Sequence, residues 1–241
     1  MRYAVISDIH ANLTALKAVL KDIEKRLVDE IICVGDIVGY GARPVECTKL
    51  VKTRCRKCVA GNHDWAVLGK TDFSNFNKNA RDAISWTIEK LDISEKKYLS
   101  ELTLKEDFGE FVVVHSTPDR PEKWNYLKHK DQTPLIFSSF KHRICFIGHT
   151  HVPMIWIEDS TRRKPEFGKK ISLQNENRYI INVGSVGQPR DKDPRACFVV
   201  YDDSHRNVVF HRVEYDVEKA SQNILNEGLP ENFASRLHVG K

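Results

Sequence analysis

Five apolar runs in this chain stop on the same kinds of residue, and that pattern limits the fold more than any other feature. RYAVIS (2–7) ends at Asp8-Ile9-His10, and EIICVG (30–35) ends at Asp36. A short run at 57–60 ends at Gly61-Asn62-His63-Asp64; FVVV (111–114) runs into His115, and ICFI (144–147) runs through Gly148 to His149 and His151. Short apolar runs bounded by turn residues read as buried strands. In open α/β sheets the carboxyl ends of strands are where ligands bind. Taken singly, Asp8 or Asp36 is an ordinary turn residue or helix cap, Asn62 an Asx turn and His115 a core histidine. One shared site accounts for all of them together. His149 and His151 are two apart, and in extended backbone that spacing sends both imidazoles to one side.

Between these runs the first half carries helical signals. Leu13, Leu16, Leu20, Ile23 and Leu27 recur at steps of three and four, with Asn12 or Asp8 as the cap. Pro44 opens a second helix over 45–52. Residues 77–101 read as mostly helical, and a helix precedes the ICFI strand at about 131–140. In the second half PMIWIED, KISLQ, RYIINVG, ACFVVYD and VVFHRVEY follow one another with turns between, which predicts an antiparallel meander. A last helix is expected at about 217–226. Helix-linked strands followed by a run of strands predict an α/β protein with two sheets packed together and helices outside. No linker or repeat divides residues 1–241, so one domain is expected.

Composition adds bounds. Apolar residues make up 41% and charged residues 29% of the 241-residue chain, enough for a sizeable core. No run approaches the ~18 apolar residues of a membrane helix, and no signal-peptide pattern opens the chain, so a cytoplasmic protein with no membrane partner is expected. The net charge of +5 is a weak pointer to anionic partners. TRRKPEFGKK (161–170) reads as a solvated loop rather than a nucleic-acid patch. The six cysteines are scattered and fit reduced thiols; Cys55 and Cys58 form a C-x-x-C with no second pair at zinc-finger spacing.

Asp, Asn and His without a cysteine set suit borderline-hard divalent ions such as Mn, Fe, Zn, Ni or Co. Asp8, His10, Asp36, Asn62, His115, His149 and His151 are too many ligands for one tetrahedral zinc. They suit two ions sharing a carboxylate.

D-x-H at 8–10, GD at 35–36, GNHD at 61–64, the isolated His115 and GHTH at 148–151, in this order, resemble the calcineurin-like metallophosphoesterases. GYG (39–41) and NVGSVGQPRD (182–191) are similar to segments of the family's small bacterial and archaeal members. Ser116 departs from the glycine that many members carry there, which bears on local backbone geometry only. The resemblance implies a four-layer α/β/β/α sandwich with two mixed sheets flanked by helices. It implies two divalent ions, one held by Asp8, His10, Asp36 and His151, the other by Asp36, Asn62, His115 and His149, with Asp36 bridging. The expected activity is hydrolysis of a small phosphate ester, phosphodiester or phosphomonoester, by a bridging hydroxide. His63 is the expected general acid, because its unperturbed pKa lies near working pH, with Asp64 paired to it. Arg190 is a candidate for gripping substrate phosphate. Asn12 is another, although a helix cap is its favoured role. A scaffold that keeps the fold and binds partner proteins is the alternative, and the presence of His63 and Asp64 argues against it. A nuclease would need a platform for nucleic acid that the sequence does not offer. Specificity is expected in loops 39–44, 73–78, 117–127 and 188–194.

Overall fold

The structure, a computed structural model, describes every residue except Asn75 and Ser160. Asn75 belongs to the expected specificity loop 73–78 and lies outside the described residues. The first stretch runs β1 (Arg2–Ile6), α1 (Leu13–Ile23), β2 (Glu30–Cys33), α2 (Pro44–Arg54), β3 (Lys57–Cys58), α3 (Asn62–Ala66), α4 (Lys78–Lys90) and α5 (Ile93–Ser100). The middle runs β4 (Lys105–Asp107), β5 (Phe111–Val114), α6 (Thr133–Ser138), β6 (Ile144–Ile147), β7 (Met154–Ile157), β8 (Arg162–Arg163) and β9 (Lys170–Ser172). It closes with β10 (Tyr179–Asn182), β11 (Ala196–Asp202), β12 (Asn207–Val213), α7 (Val217–Asn226) and α8 (Glu231–Val239).

The strands form two six-stranded sheets, ordered β3-β2-β1-β11-β12-β9 and β4-β5-β6-β10-β7-β8. Both are mixed: β1, β2 and β3 run parallel while β11 pairs β1 antiparallel, and β5, β6 and β10 run parallel while β7 pairs β10 antiparallel. The period-2 alternation of a strand decides which layer each side chain enters. Ala4 and Ile6 of β1 join Leu16, Val19 and Leu20 of α1. Tyr3 and Val5 face the other way and meet Phe111, Ile144 and Phe146 of the second sheet. Cys145 and Ile147 of β6 turn outward to Ile136 and Phe137 of α6. The result is the four-layer α/β/β/α sandwich.

Four readings of the sequence need correction. The expected meander is split between sheets: β10 and β11 are consecutive but lie in different sheets, and β9 pairs β12. The 161–170 segment is not wholly loop, because Arg162–Arg163 forms an exposed edge strand on β7 and Lys170 opens β9. The stripe of α1 stops at Ile23; Leu27 is left-handed at φ 52 and 82% exposed. Residues 217–226 are not the last helix. α8 follows, burying Phe233, Ala234 and Leu237 against Ala220 and Ile224 of α7. Pro230 before it and Gly240 after it, the latter at φ 61, are the stop and start signals the sequence offered.

The split meander matters for the site. In passing from β10 to β11 the chain crosses between sheets at the strand ends, where Val186 and Gly187 N–H groups donate to Ser7 and Asp8 carbonyls at 2.9 Å each. Ser185 Oγ also donates to the Asp8 carbonyl, at 2.8 Å.

Candidate metal centre

The candidate ligands leave the carboxyl ends of β1, β2, β5 and β6 and the start of α3, so both sheets aim at one point. Beyond its last residue β1 stays paired with the chain after β2: Asp8 N–H donates to Gly35 O at 3.0 Å, His10 N–H to Asp36 O at 3.0 Å and Ala11 N–H to Ile37 O at 2.8 Å. This sets Asp8 beside Asp36. Asp8, His10, Asp36, His149 and His151 all have positive φ, between 47° and 66°. Non-glycine residues rarely adopt that region, and such strain gathers at functional sites. It also corrects the reading of GHTH as extended: turned this way, His149 and His151 join different clusters. Glycines border the site because nothing larger fits; a Cβ on Gly61 would lie 2.0 Å from Asp36 Oδ1, and one on Gly148 would lie 2.1 Å from Ser7 Oγ.

Four imidazoles follow one rule. Each faces a backbone carbonyl with one nitrogen: His10 Nδ1 to Val38 O at 3.1 Å, His115 Nδ1 to Val34 O at 2.7 Å, His151 Nδ1 to Gln188 O at 2.6 Å and His149 Nε2 to Trp124 O at 2.8 Å. A carbonyl only accepts, so that nitrogen carries the ring's proton, and in a neutral ring the other nitrogen offers a lone pair. The free nitrogens converge. His10 Nε2 lies 3.1 Å from His151 Nε2, and His151 Nε2 lies 3.2 Å from Asp8 Oδ1. His115 Nε2 lies 3.2 Å from Asp36 Oδ2, the same oxygen that stands 3.6 Å from His10 Nε2. Asn62 Oδ1 is buried with no hydrogen-bond partner among the described residues.

Two groups able to hold a metal follow, Asp8 with His10 and His151, and Asp36 with His115 and His149. Asp36 Oδ2 lies between them, 3.2 Å from His115 Nε2 and 3.6 Å from His10 Nε2. A third group, His10 with Asp36 and His63, brings a His63 ring nitrogen within 4.8 Å of both. Carboxylates and imidazoles packed this closely suit a cation.

The electrostatics agree. Burial alone would raise the Asp8 and Asp36 carboxyls, but His151 and His115 beside Asp8, and His115 and His63 beside Asp36, hold both well below the usual carboxylate range. Burial lowers His10, and it lowers His149 to about 3. Burial and then Arg190 lower His151. These three rings are neutral at neutral pH, the form that ligates. For His115 burial is outweighed by Asp36 and Asp8, which raise it to about 10. The same two carboxylates would favour a cation at this point.

The expected His63–Asp64 pair is not made. Asp64 Oδ1 accepts from the Ile37 and Val38 N–H groups at 3.0 and 3.2 Å, and Oδ2 accepts from Gly61 N–H at 2.9 Å. A buried carboxylate with backbone donors in reach takes them, so Asp64 ties the loop after β2 to the start of α3. His63 Nδ1 is buried and has no partner among the described residues. Its ring is held by packing instead, 4.4 Å from Tyr40, 4.9 Å from His10 and 5.4 Å from Phe76 between centroids. Asn12 is the cap: its Oδ1 accepts from Ala15 N–H at 3.1 Å and its Nδ2 donates to Gly187 O at 2.9 Å. The Arg190 guanidinium donates twice to Gln188 Oε1, at 3.2 and 2.8 Å, and lies 5.7 Å from the Tyr40 ring centre. Ser116 Oγ donates to Pro121 O at 3.1 Å, and its φ is not positive, so a glycine is not required there. The six cysteines are free, and burial pushes the Cys55 and Cys58 thiols up.

Sequence reasoning missed the residues that aim the ligands. Asn182 donates to Gly148 O and to Thr150 Oγ1, fixing the GHTH turn. Trp124 and Gln188 act through their carbonyls, for which no side-chain pattern exists to be read.

Residues 1–205 match the family model of the calcineurin-like phosphoesterase superfamily domain. The chain belongs to this superfamily. A curated relative, an uncharacterized protein of Methanocaldococcus jannaschii, is 41% identical over 99% of this chain and 98% of its own. The crystal structure of a metallophosphoesterase from Sphaerobacter thermophilus superposes with a TM-score of 0.91 at 42% identity, over 100% of this chain and 99% of that one. A hypothetical protein from Pyrococcus horikoshii OT3 shares the fold, with a TM-score of 0.79 at 21% identity over 100% and 98% of the two chains. Like its superfamily this chain carries phosphoesterase architecture, with aspartate and histidine groups able to hold divalent metal. Among the described residues no helix is long and apolar enough to cross a membrane.

Proposed function

We propose that this protein is a phosphoric ester hydrolase working with two divalent ions. The observation that carries the reading is the pairing of each ligand imidazole with a backbone carbonyl, which turns four free nitrogens onto two buried carboxylates. Asp8, His10, Asp36 and His151 would hold one ion, and Asp36, Asn62, His115 and His149 the other. When bound, such ions would acidify a water to serve as nucleophile and would neutralise charge on the phosphoryl oxygens.

The chain's own residues supply the rest. Asn62, a neutral ligand, limits the negative charge an anionic substrate meets. Arg190, beside Tyr40, offers a guanidinium to a phosphoryl oxygen. His63 is the group placed to protonate the leaving oxygen. Burial lowers it to about 4 against the pull of Asp36. The Tyr40, His10 and Phe76 rings hold it in place.

The test is reconstitution with Mn, Ni, Co, Mg or Zn followed by a screen of nitrophenyl and alkyl phosphate esters, monoester and diester. Metal-dependent turnover supports the reading. A protein that binds two ions and hydrolyses none of the esters would favour the scaffold alternative.

A further inference from the structure

Beside the metal centre lies a cavity of about 370 Å³ that the reading above does not use. Its volume is within the roughly 300–1,000 Å³ of small-molecule sites. Arg190, Lys192 and Lys164 line it, with Pro153 and Pro165 as apolar wall and Phe167 at one side. Arg190 connects it to the centre, because its N–H donates to the carbonyl of His151 at 3.3 Å. One acidic residue, Asp191, also lines it. Asp191 accepts from Nη2 of the buried Arg212, so its charge is matched, and Lys164 and Lys192 line the cavity with no acidic partner among the described residues.

Phe167 sharpens the chemistry. The Arg212 guanidinium lies 4.4 Å from its ring centre and Phe210 meets it edge-on at 6.3 Å, yet 38% of the residue stays exposed. A ring packed against Arg212 and Phe210 and still partly exposed offers a surface for stacking. Cations beyond those needed for the scissile phosphate call for a second anionic group. An aromatic platform with proline walls calls for a flat ring.

We propose that this cavity is a nucleotide subsite of the phosphoesterase centre, in which Lys164 and Lys192 meet the nucleotide's own phosphate and Phe167 stacks its base. The proposal rests on the phosphoesterase reading for its place in the reaction. The bond that breaks joins the attacked phosphorus to the nucleotide oxygen; water supplies the new oxygen on phosphorus, and the proton ends on the nucleotide oxygen.

Binding separates the two readings. The full chain, with and without added Mn, is titrated calorimetrically with AMP, ribose 5-phosphate and inorganic phosphate. AMP is expected to bind about tenfold tighter than ribose 5-phosphate, and Phe167→Ala to erase that difference. Lys164→Gln with Lys192→Gln is expected to weaken both ligands about tenfold. Lys164 and Lys192 are exposed, so folding should survive, and a thermal melt checks it. Phe167→Leu, which keeps apolar contact with Phe210, serves if the alanine variant unfolds. AMP and ribose 5-phosphate binding alike to the wild type, or a difference that survives loss of the Phe167 ring, overturns the subsite. Nucleotide binding as described in a metal-loaded protein that cleaves no ester would instead sink the hydrolase reading and leave the subsite standing.

Discussion

The two sheets bring different chemistry to the same point. The first contributes the carboxylates, Asp8 after β1 and Asp36 after β2, with the neutral carboxamide of Asn62 after β3. The second contributes imidazoles: His115 after β5, and His149 and His151 after β6. The supports differ in the same sense. Carboxylates are steadied by N–H groups, as where His149 N–H donates to Asp8 at 3.0–3.2 Å and His63 N–H to Asp36 Oδ1 at 2.9 Å. Three imidazoles from the second sheet are steadied by carbonyls. His10, from the first sheet, follows the carbonyl rule as well. Charge on one side and polarity on the other lets the centre hold cations without collecting more negative charge than an anionic substrate tolerates.

The sharpest way to break this comparison is Asp36→Asn. One oxygen of Asp36 lies within 3.6 Å of His10 Nε2 and 3.2 Å of His115 Nε2, so its charge serves both clusters. Both ions should be lost together, and hydrolysis with them, whereas His10→Ala should mainly weaken one. Elemental analysis of reconstituted protein decides; an Asp36→Asn protein that keeps one ion at full occupancy ends the bridging role.

His63→Ala should come next in size. General-acid help is worth typically ~10²–10⁴-fold, and least when the leaving group is already a stable anion. The variant should keep both metals, lose little on nitrophenyl esters and lose much more on alkyl esters. Equal losses along the leaving-group series, or a missing metal, would remove His63 from the acid role. Because Asp64 is bound to backbone N–H groups, Asp64→Asn should disturb the loop geometry rather than act as a weaker copy of His63→Ala.

Asn182→Ala probes the second sheet's half alone. Removing the donor that fixes the GHTH turn should weaken metal binding by ~10–100-fold, the usual effect of losing a group that orients a ligand. The wild-type and variant affinities come from metal titration, and an unchanged affinity would mean that the turn holds itself.

The smallest effect lies far from the centre, in β12. Burial and then Arg26 lower His211 from 6.5 to about 4. The unfolded chain therefore takes up this proton first as pH falls. The stability tied to His211 is complete above about 6.5 and drains away down to about 4. His211→Gln should flatten the pH dependence of the melting temperature in that window, and an unaltered slope would show that other groups dominate it.

Much of this was readable in the chain. The five apolar runs ending in Asp, Asn or His became strand ends meeting at one point, because alternation and burial are local signals with a global consequence. What was hidden depends on backbone direction. Nothing in GHTH announces that both histidines sit in the left-handed region, so the extended reading sent their rings the same way. The His63–Asp64 pair was inferred from adjacency, and adjacency does not say that Gly61, Ile37 and Val38 N–H groups reach the carboxylate first. β4, residues KED at 105–107, has no apolar signature because it is a charged edge. The meander was misread because two strands next to each other in sequence can belong to different sheets.

That crossing has a consequence for how the centre comes into being. Asp8 and His149, which touch, are 141 positions apart, and the chain that packs under Asp8 lies further on still, at Ser185 to Gly187. A ribosome adds roughly 5–20 residues each second, so the acidic half is synthesised well before its imidazole partners. Any metal uptake at this centre would have to wait until these two distant stretches of chain have found one another.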